Sequence, residues 1–248
     1  MTGQLAHITR HPIKAHGRES LNSVQLQAGQ CMPYDRRWAA VQEGSKLADG
    51  WNSCVLFSRG AKSPQLMAVT AELDETTERV TLTHPTQGQI IIHPDDPADL
   101  PAFLAWATAL VDPARLPPVG LLRYDGGLTD SDYPTVSILS LASLADLSAR
   151  MGLDLSIHRW RANFWINGAL PWAEFDWIGQ RLAIGGAVLE VVERIGRCKA
   201  TAVNPDTGLV QGDTLAALER AFGHTDFGIF ARVVQSGPVA VGDAWHLI

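Results

Sequence analysis

Cys198 stands between Arg197 and Lys199 and is followed by the turn-forming run Asn204-Pro205-Asp206-Thr207-Gly208. Flanking cations favour thiolate over thiol, the reactive form of a cysteine. A lone cysteine is more commonly a small buried hydrophobe, and spacing alone leaves both readings open. Cys31 and Cys54 have no comparable charge cluster beside them and read as structural. The basic residues Lys14, Arg36, Arg37, Arg159, Arg161 and Arg197 fall singly at strand ends and loops rather than in runs. If they converge, they form an anion pocket in which guanidinium groups bind phosphate bidentately and a lysine adds a point charge. If they do not, each is a solvated surface charge.

Other chemistries lack their signatures. The 8 histidines show no HExxH spacing, and no GxGxxG, GxxxxGK[ST] or GxSxG occurs. Zincin, dinucleotide, P-loop and α/β-hydrolase readings therefore have no support. The 3 cysteines include no CxxC pair, which argues against structural zinc or an iron-sulfur cluster. Trp160, Trp165, Trp172 and Trp177 could line an aromatic cleft, though core packing explains them as well.

Composition bounds the setting for these residues. With 20 Lys and Arg against 26 Asp and Glu, the net charge of -6 disfavours a general nucleic-acid or anionic-membrane binder, while a local basic pocket remains compatible. A hydrophobic content of 46% with 19% charged residues describes a packed globular chain. The longest run without Asp, Glu, Lys or Arg, Val80 to Pro94, is broken by Thr, His and Gln, so no membrane span is expected. The N-terminus enters strand-like sequence at once without a basic-then-apolar leader, and the expectation is a cytoplasmic protein.

The elements that would position the chemistry are mostly strands. Short apolar or alternating stretches at Leu5–His11, Ser20–Leu26, Arg37–Val41, Leu66–Leu73, Arg79–Thr83 and Gln89–Ile92 predict β structure in the first 95 residues. A helix is predicted over 96–111 and is ended by Pro113, Pro117 and Pro118. A Gly- and Asp-rich loop, Tyr124 to Tyr133, separates the halves. Ser140 then caps a helix to Met151 that stops at Gly152, and Asp213 caps Thr214–Phe222, which stops at Gly223. Strands are expected at Asn163–Asn167, Arg181–Ile184, Ala187–Val192, Ile229–Val234 and Val239–Leu247. The sum is a mainly β (α+β) chain with about three helices and two packed barrel-like sheets, divided as 1–95, a helical connection at 96–123, and 124–248.

The order of the motifs carries a resemblance. His11-Pro12-Ile13-Lys14 with Gly17, then Asp35-Arg36-Arg37-Trp38, resembles the N-terminal β-barrel domain that precedes MOSC domains, whose patterns are YPxKS and DRxW. The second half resembles the MOSC domain itself. It does so through Asp132-Tyr133-Pro134, Ile138 to Leu144, Trp160-Arg161-Ala162-Asn163, Glu174-Phe175-Asp176-Trp177, Arg197-Cys198, and the Asn204–Gly208 turn. Within that group the chain is similar to the amidoxime-reducing components. The resemblance implies a molybdenum cofactor (Mo-molybdopterin) between two interlocked β-barrel domains, with Cys198 as the molybdenum ligand and Asp132 beside the metal as a catalytic candidate. It further implies that Lys14, Arg36, Arg161, Asn163, Tyr133 and Arg197 hold the phosphate and pterin.

The implied activity is reduction of small N-hydroxylated or related N-oxygenated substrates, with electrons from an external ferredoxin, flavoprotein or cytochrome-type protein. The alternative is a cofactor or sulfur carrier with a persulfide on Cys198. Four positions depart from the pattern: Ala15 and Gly196 stand where relatives carry hydroxyls, Ala162 replaces a proline, and Asn204 replaces an aspartate. None of these removes the thiol or a guanidinium.

Overall fold

In the computed structural model, which describes residues 2–248, these residues form sixteen strands and three α-helices. The first half contributes β1 (Thr2–Arg10), β2 (Ile13–Lys14), β3 (Glu19–Leu21), β4 (Ser23–Leu26), β5 (Trp38–Gln42), β6 (Thr70–Asp74), β7 (Arg79–His84), β8 (Gly88–Ile92), α1 (Leu100–Thr108) and β9 (Pro118–Arg123). The second contributes β10 (Val136–Ser140), α2 (Leu141–Met151), β11 (Phe164–Ile166), β12 (Arg181–Ile184), β13 (Ala187–Gly196), α3 (Thr214–Phe222), β14 (Asp226–Gln235), β15 (Gly237–Ala240) and β16 (Ala244–Leu247).

Seven strands close a barrel in the order β11-β10-β14-β13-β12-β16-β1, with β1 pairing back onto β11 and β3 hanging from β1. Alternation builds its interior: along β13, Ala187, Leu189 and Val191 are buried while the residues between them are half-exposed. These side chains meet Ile8, Ile138, Phe164 and Ile229 from facing strands in one apolar core. Its staves come from distant parts of the sequence, since β1 pairs antiparallel with β16 (Gly3↔Trp245), and a separate two-stranded ribbon pairs β4 with β15 (Val24↔Val239).

A second body stands beside the barrel. Here β2 lies parallel to β5, β5 runs antiparallel to β9, and β6, β7 and β8 form a meander. Ile13, Trp38, Leu66, Leu82 and Phe103 are fully buried in its own core. Only His11 and Pro12 separate β1 from β2, so the chain passes directly from barrel to second body and leaves Lys14 at the seam.

Local signals set the helices. The Ser140 side chain accepts from the Ser143 N–H at 3.4 Å, and Asp213 accepts from Ala216 at 3.0 Å. Gly152 and Gly223 end α2 and α3 in the left-handed conformation.

Four expectations need correction. Segment 96–123 is more than a helical connection: only Leu100–Thr108 is helical, and Pro118–Arg123 is a strand that covers β5, with its proline at the register shift where the ladder is already irregular. Within Leu66–Leu73, Pro64 starts a 3-10 turn through Ala68, and the strand begins only at Thr70. The strand expected over Val239–Leu247 is two strands, β15 and β16, divided by a turn at 241–243. β13 runs four residues beyond the expected Val192, through exposed Glu193 and Arg194, because register shifts opposite β14 let it continue with its polar residues outward. That extension delivers the chain to Cys198.

Candidate functional site

Along the seam lies a cleft of about 380 Å³ whose lining includes Lys14, Arg36, Arg161, Asn163, Arg197 and Cys198. Seven Lys or Arg residues and two carboxylates line it, so a chain of net charge -6 builds a locally positive cavity.

Lys14, at the end of β2, donates from Nζ to the Leu128 carbonyl at 2.7 Å and to Asp130 Oδ1 at 2.6 Å. Arg36 and Arg161 both have positive φ, +52° and +50°, a region that costs an ordinary side chain on the order of 1 kcal/mol. The two are tied together: Arg36 Nη2 donates to the Arg161 carbonyl at 2.5 Å, across 125 residues of sequence. Behind them sits Asp35, which pairs with Arg36 and accepts from the His11 backbone N–H at 2.9 Å. Burial alone would raise the Asp35 carboxyl, but the Arg36 charge and the His11 hydrogen bond outweigh it and hold it well below the usual carboxylate range. Burial, together with the Arg36 and Arg161 charges, pushes the His11 imidazole well below its usual value.

Arg161 differs from these paired cations. Its Nη2 is buried and has no hydrogen-bond partner, and burial together with the Arg36 charge pushes it down to about 9. It stays charged at neutral pH, and its unmet donor marks the place where an anion would be stabilised.

Cys198 is exposed at the cleft, where β13 passes into the 3-10 turn Lys199–Ala202. Thr201 fastens this turn: its backbone N–H and its hydroxyl both bond the Cys198 carbonyl, at 3.2 and 3.0 Å, and the hydroxyl lies 2.6 Å from Thr214 Oγ1 at the start of α3. Arg197 lines the cleft, but its donors reach the Phe227 carbonyl at 2.5 and 2.8 Å and the Trp160 carbonyl at 3.0 Å. It braces the walls. Asn163 likewise lines the cleft with its amide engaged: Oδ1 accepts from the Ser137 hydroxyl at 2.9 Å, and Nδ2 reaches the Thr9 carbonyl at 3.4 Å, joining β10 to β1.

Asp132 and Tyr133 are not among the lining residues. Asp132 is exposed, and the Tyr133 hydroxyl donates to the Glu193 carboxylate while Arg232 sits 4.5 Å from its ring centroid. The carboxylate that enters the cleft from this loop is Asp130. Hydroxyl bonds of Thr129 to the Ser131 carbonyl (3.0 Å) and between Ser131 and Thr135 (2.7 Å) fix a loop that bends through residues 130–133, so that Asp130 lines the cleft and Asp132 does not. Arg37 also lies outside the cleft, 2.9 Å from Asp125 and with its guanidinium 4.6 Å from the Tyr34 ring centroid. Sequence reasoning missed Arg59, Asp130 and Glu193, which belong to no motif. Cys54, read as structural, also lines the cleft.

Residues 2–108 match the model of the MOSC N-terminal beta barrel domain, and residues 125–246 match that of the MOSC domain. The chain belongs to the MOSC-domain proteins. Its cleft draws Lys14, Arg36 and Arg59 from the first match and Asp130, Arg161 and Cys198 from the second. Among curated relatives of this MOSC protein, Mitochondrial amidoxime reducing component 2 of Bos taurus is 32% identical over 124 residues, covering 45% of this chain and 36% of that protein. Mitochondrial amidoxime-reducing component 1 of Homo sapiens is 30% identical over 140 residues, covering 52% and 41%. Those two matches therefore span about two fifths of the relatives' own length. The Danio rerio component 1 aligns over 99% of this chain and 85% of its own length at 21% identity.

Proposed function

We propose that this MOSC protein is a molybdenum-cofactor-dependent oxidoreductase that reduces N-hydroxylated or related N-oxygenated substrates, using electrons from a separate redox protein. The observation that carries this reading is one cleft with an exposed thiol, Cys198, and a buried guanidinium, Arg161, whose Nη2 lacks a partner. These donors fit a molybdenum pterin phosphate: the thiol suits a soft metal, and the cations suit the phosphate. The amidoxime-reducing relatives support the substrate class.

Lys14, Arg36 and Arg161 would hold the phosphate, and the Arg36–Arg161 backbone tie keeps their spacing fixed. Cys198 would present its sulfur from a turn that Thr201 prevents from swinging. Trp160 and Phe230 give the cleft apolar wall area that excludes water from the reacting region. Bound here, the cofactor would supply the two-electron chemistry that takes an amidoxime, with two protons, to an amidine and water. All three cysteines are free, which suits a reducing compartment such as the cytoplasm.

The test is molybdenum and pterin content per chain in protein made by a cofactor-competent host, followed by turnover of an amidoxime with a chemical reductant. The exposure of Cys198 also favours the carrier reading. Fully loaded protein that is inert on N-hydroxylated substrates, yet takes labelled sulfur onto Cys198 from a desulfurase, would replace the enzyme with the carrier.

A further inference from the structure

We propose that Arg59 recognises an anionic group on the substrate, so that the cleft selects N-oxygenated compounds carrying a carboxylate or phosphate over neutral ones. This rests on the reductase reading above and names the substrate class for the same site.

Three observations converge. Arg59 lines the cleft, yet its buried Nε has no hydrogen-bond partner. Lys14 and Arg36 each already hold a carboxylate, Asp130 and Asp35, whereas Arg59 takes part in no ion pair among the described residues. The third observation is position. The next residue, Gly60, faces the Cys198 turn across the cleft wall, where a Cβ added to it would lie in ordinary contact, 3.8 Å from Ala200 Cβ, and Arg59, Gly60, Cys198 and Ala200 all line the cleft. Arg59 therefore comes from the second body at the thiol end of the cleft, where a substrate must approach. The Arg36–Arg161 tie that would serve the cofactor phosphate is built from other segments.

Chemistry favours an anion there. Nε and one Nη form the edge of a guanidinium that grips a carboxylate or phosphate bidentately, and Arg59 Nε is unspent. A cationic substrate would instead enter a cavity with seven basic residues and two carboxylates, against a like-charge field. The sulfur-bearing and small neighbours Met67, Gly60 and Ala61 leave room for an organic body beside the charge.

The experiment is calorimetric titration of the holoprotein with benzamidoxime and with its para-carboxylate, for wild type, Arg59→Gln and Arg59→Lys, with molybdenum and pterin assayed in each. Wild type is expected to bind the carboxylate about tenfold more tightly, the size of one charge-assisted hydrogen bond. Arg59→Gln should bring the ratio near one with molybdenum and pterin retained, Arg59→Lys should restore part of it, and added salt should narrow it. A wild-type ratio near one, or a ratio unchanged in Arg59→Gln, overturns the proposal. Loss of molybdenum from Arg59→Gln also overturns it, because Arg59 would then serve the cofactor. If both compounds bind as described but neither is reduced, the reductase reading fails while the anion site stands. If neither binds, both fall.

Discussion

The barrel and the seam cleft are built from adjoining strands but treat polar groups in opposite ways. Inside the barrel, Ile8, Phe164, Leu189 and Ile229 fill the space with hydrocarbon and leave nothing to satisfy. In the cleft, Arg59, Arg159 and Arg161 carry buried N–H groups without partners, and two arginines adopt positive φ. Buried unmet donors are rare in native proteins because each costs about 1–3 kcal/mol. Unmet groups also occur elsewhere, as at Thr9 Oγ1 and Trp106 Nε1, but three unmet arginine donors share this one cleft, which separates the part of the chain that secures the fold from the part kept open for a ligand.

The largest expected effect lies at the cleft. Cys198→Ala should abolish most metal-centred turnover and lower molybdenum per chain, while the thermal midpoint barely moves because the side chain is exposed. Unchanged molybdenum and activity would remove the ligand assignment. In the barrel, Leu189→Ala should cost about 2–5 kcal/mol in chemical denaturation, the range for a large-to-small change in a packed core. A loss under 1 kcal/mol would show that the core is looser than the strand pairing implies.

Glu174 sharpens the contrast because it is a carboxyl buried outside the cleft. It accepts from the Ser143 hydroxyl at 2.9 Å, Oε1 has no partner, and burial pushes it up to about 7. A raised carboxyl stabilises the fold below its unfolded value near 4.5, and that contribution is lost as pH rises through about 7. Glu174→Gln, which mimics the protonated form, should therefore raise the unfolding free energy at pH 8 by about 1–3 kcal/mol and change little at pH 4.5. Equal effects at both pH values would exclude this account. The smallest effect concerns Cys31, a buried thiol that burial pushes up to about 11. A thiol reagent at pH 8 should label Cys198 and leave Cys31 unmodified, and Cys31→Ala should leave molybdenum content unchanged.

How much of this was legible in the sequence depended on how local the signal was. Helices α2 and α3 could be read directly, because Ser140, Asp213, Gly152 and Gly223 act within a single turn. The strand β9 was hidden, since its pairing with β5 reaches back across some eighty residues and nothing near Pro118 announces it. In the site, Lys14, Arg36, Arg161 and Cys198 were legible from motif order and do line one cleft. Asp130 was missed in favour of Asp132 because a hydroxyl network sets which loop residue faces inward, and side-chain facing in an irregular loop leaves no periodic trace. Asn163 and Arg197 line the same cleft, but their atoms are spent on Ser137, Thr9, Phe227 and Trp160 carbonyls or hydroxyls, bonds that only the fold creates.

The double duty of β1 sets the order in which the molecule can be made. A long stretch of chain separates this strand from its partners, since Leu5 pairs with Ile166 of β11 and Gly3 with Trp245 of β16. No nascent chain can close the ring before β16 has emerged, and contacts of such long sequence separation form slowly. The Thr2–Gln4 end of β1 must therefore wait for β16, while its later residues can pair with β3 and β11 beforehand. Because β1 leads straight into β2 and Lys14, the strand that closes the barrel also carries one cation of the positive cleft to its place.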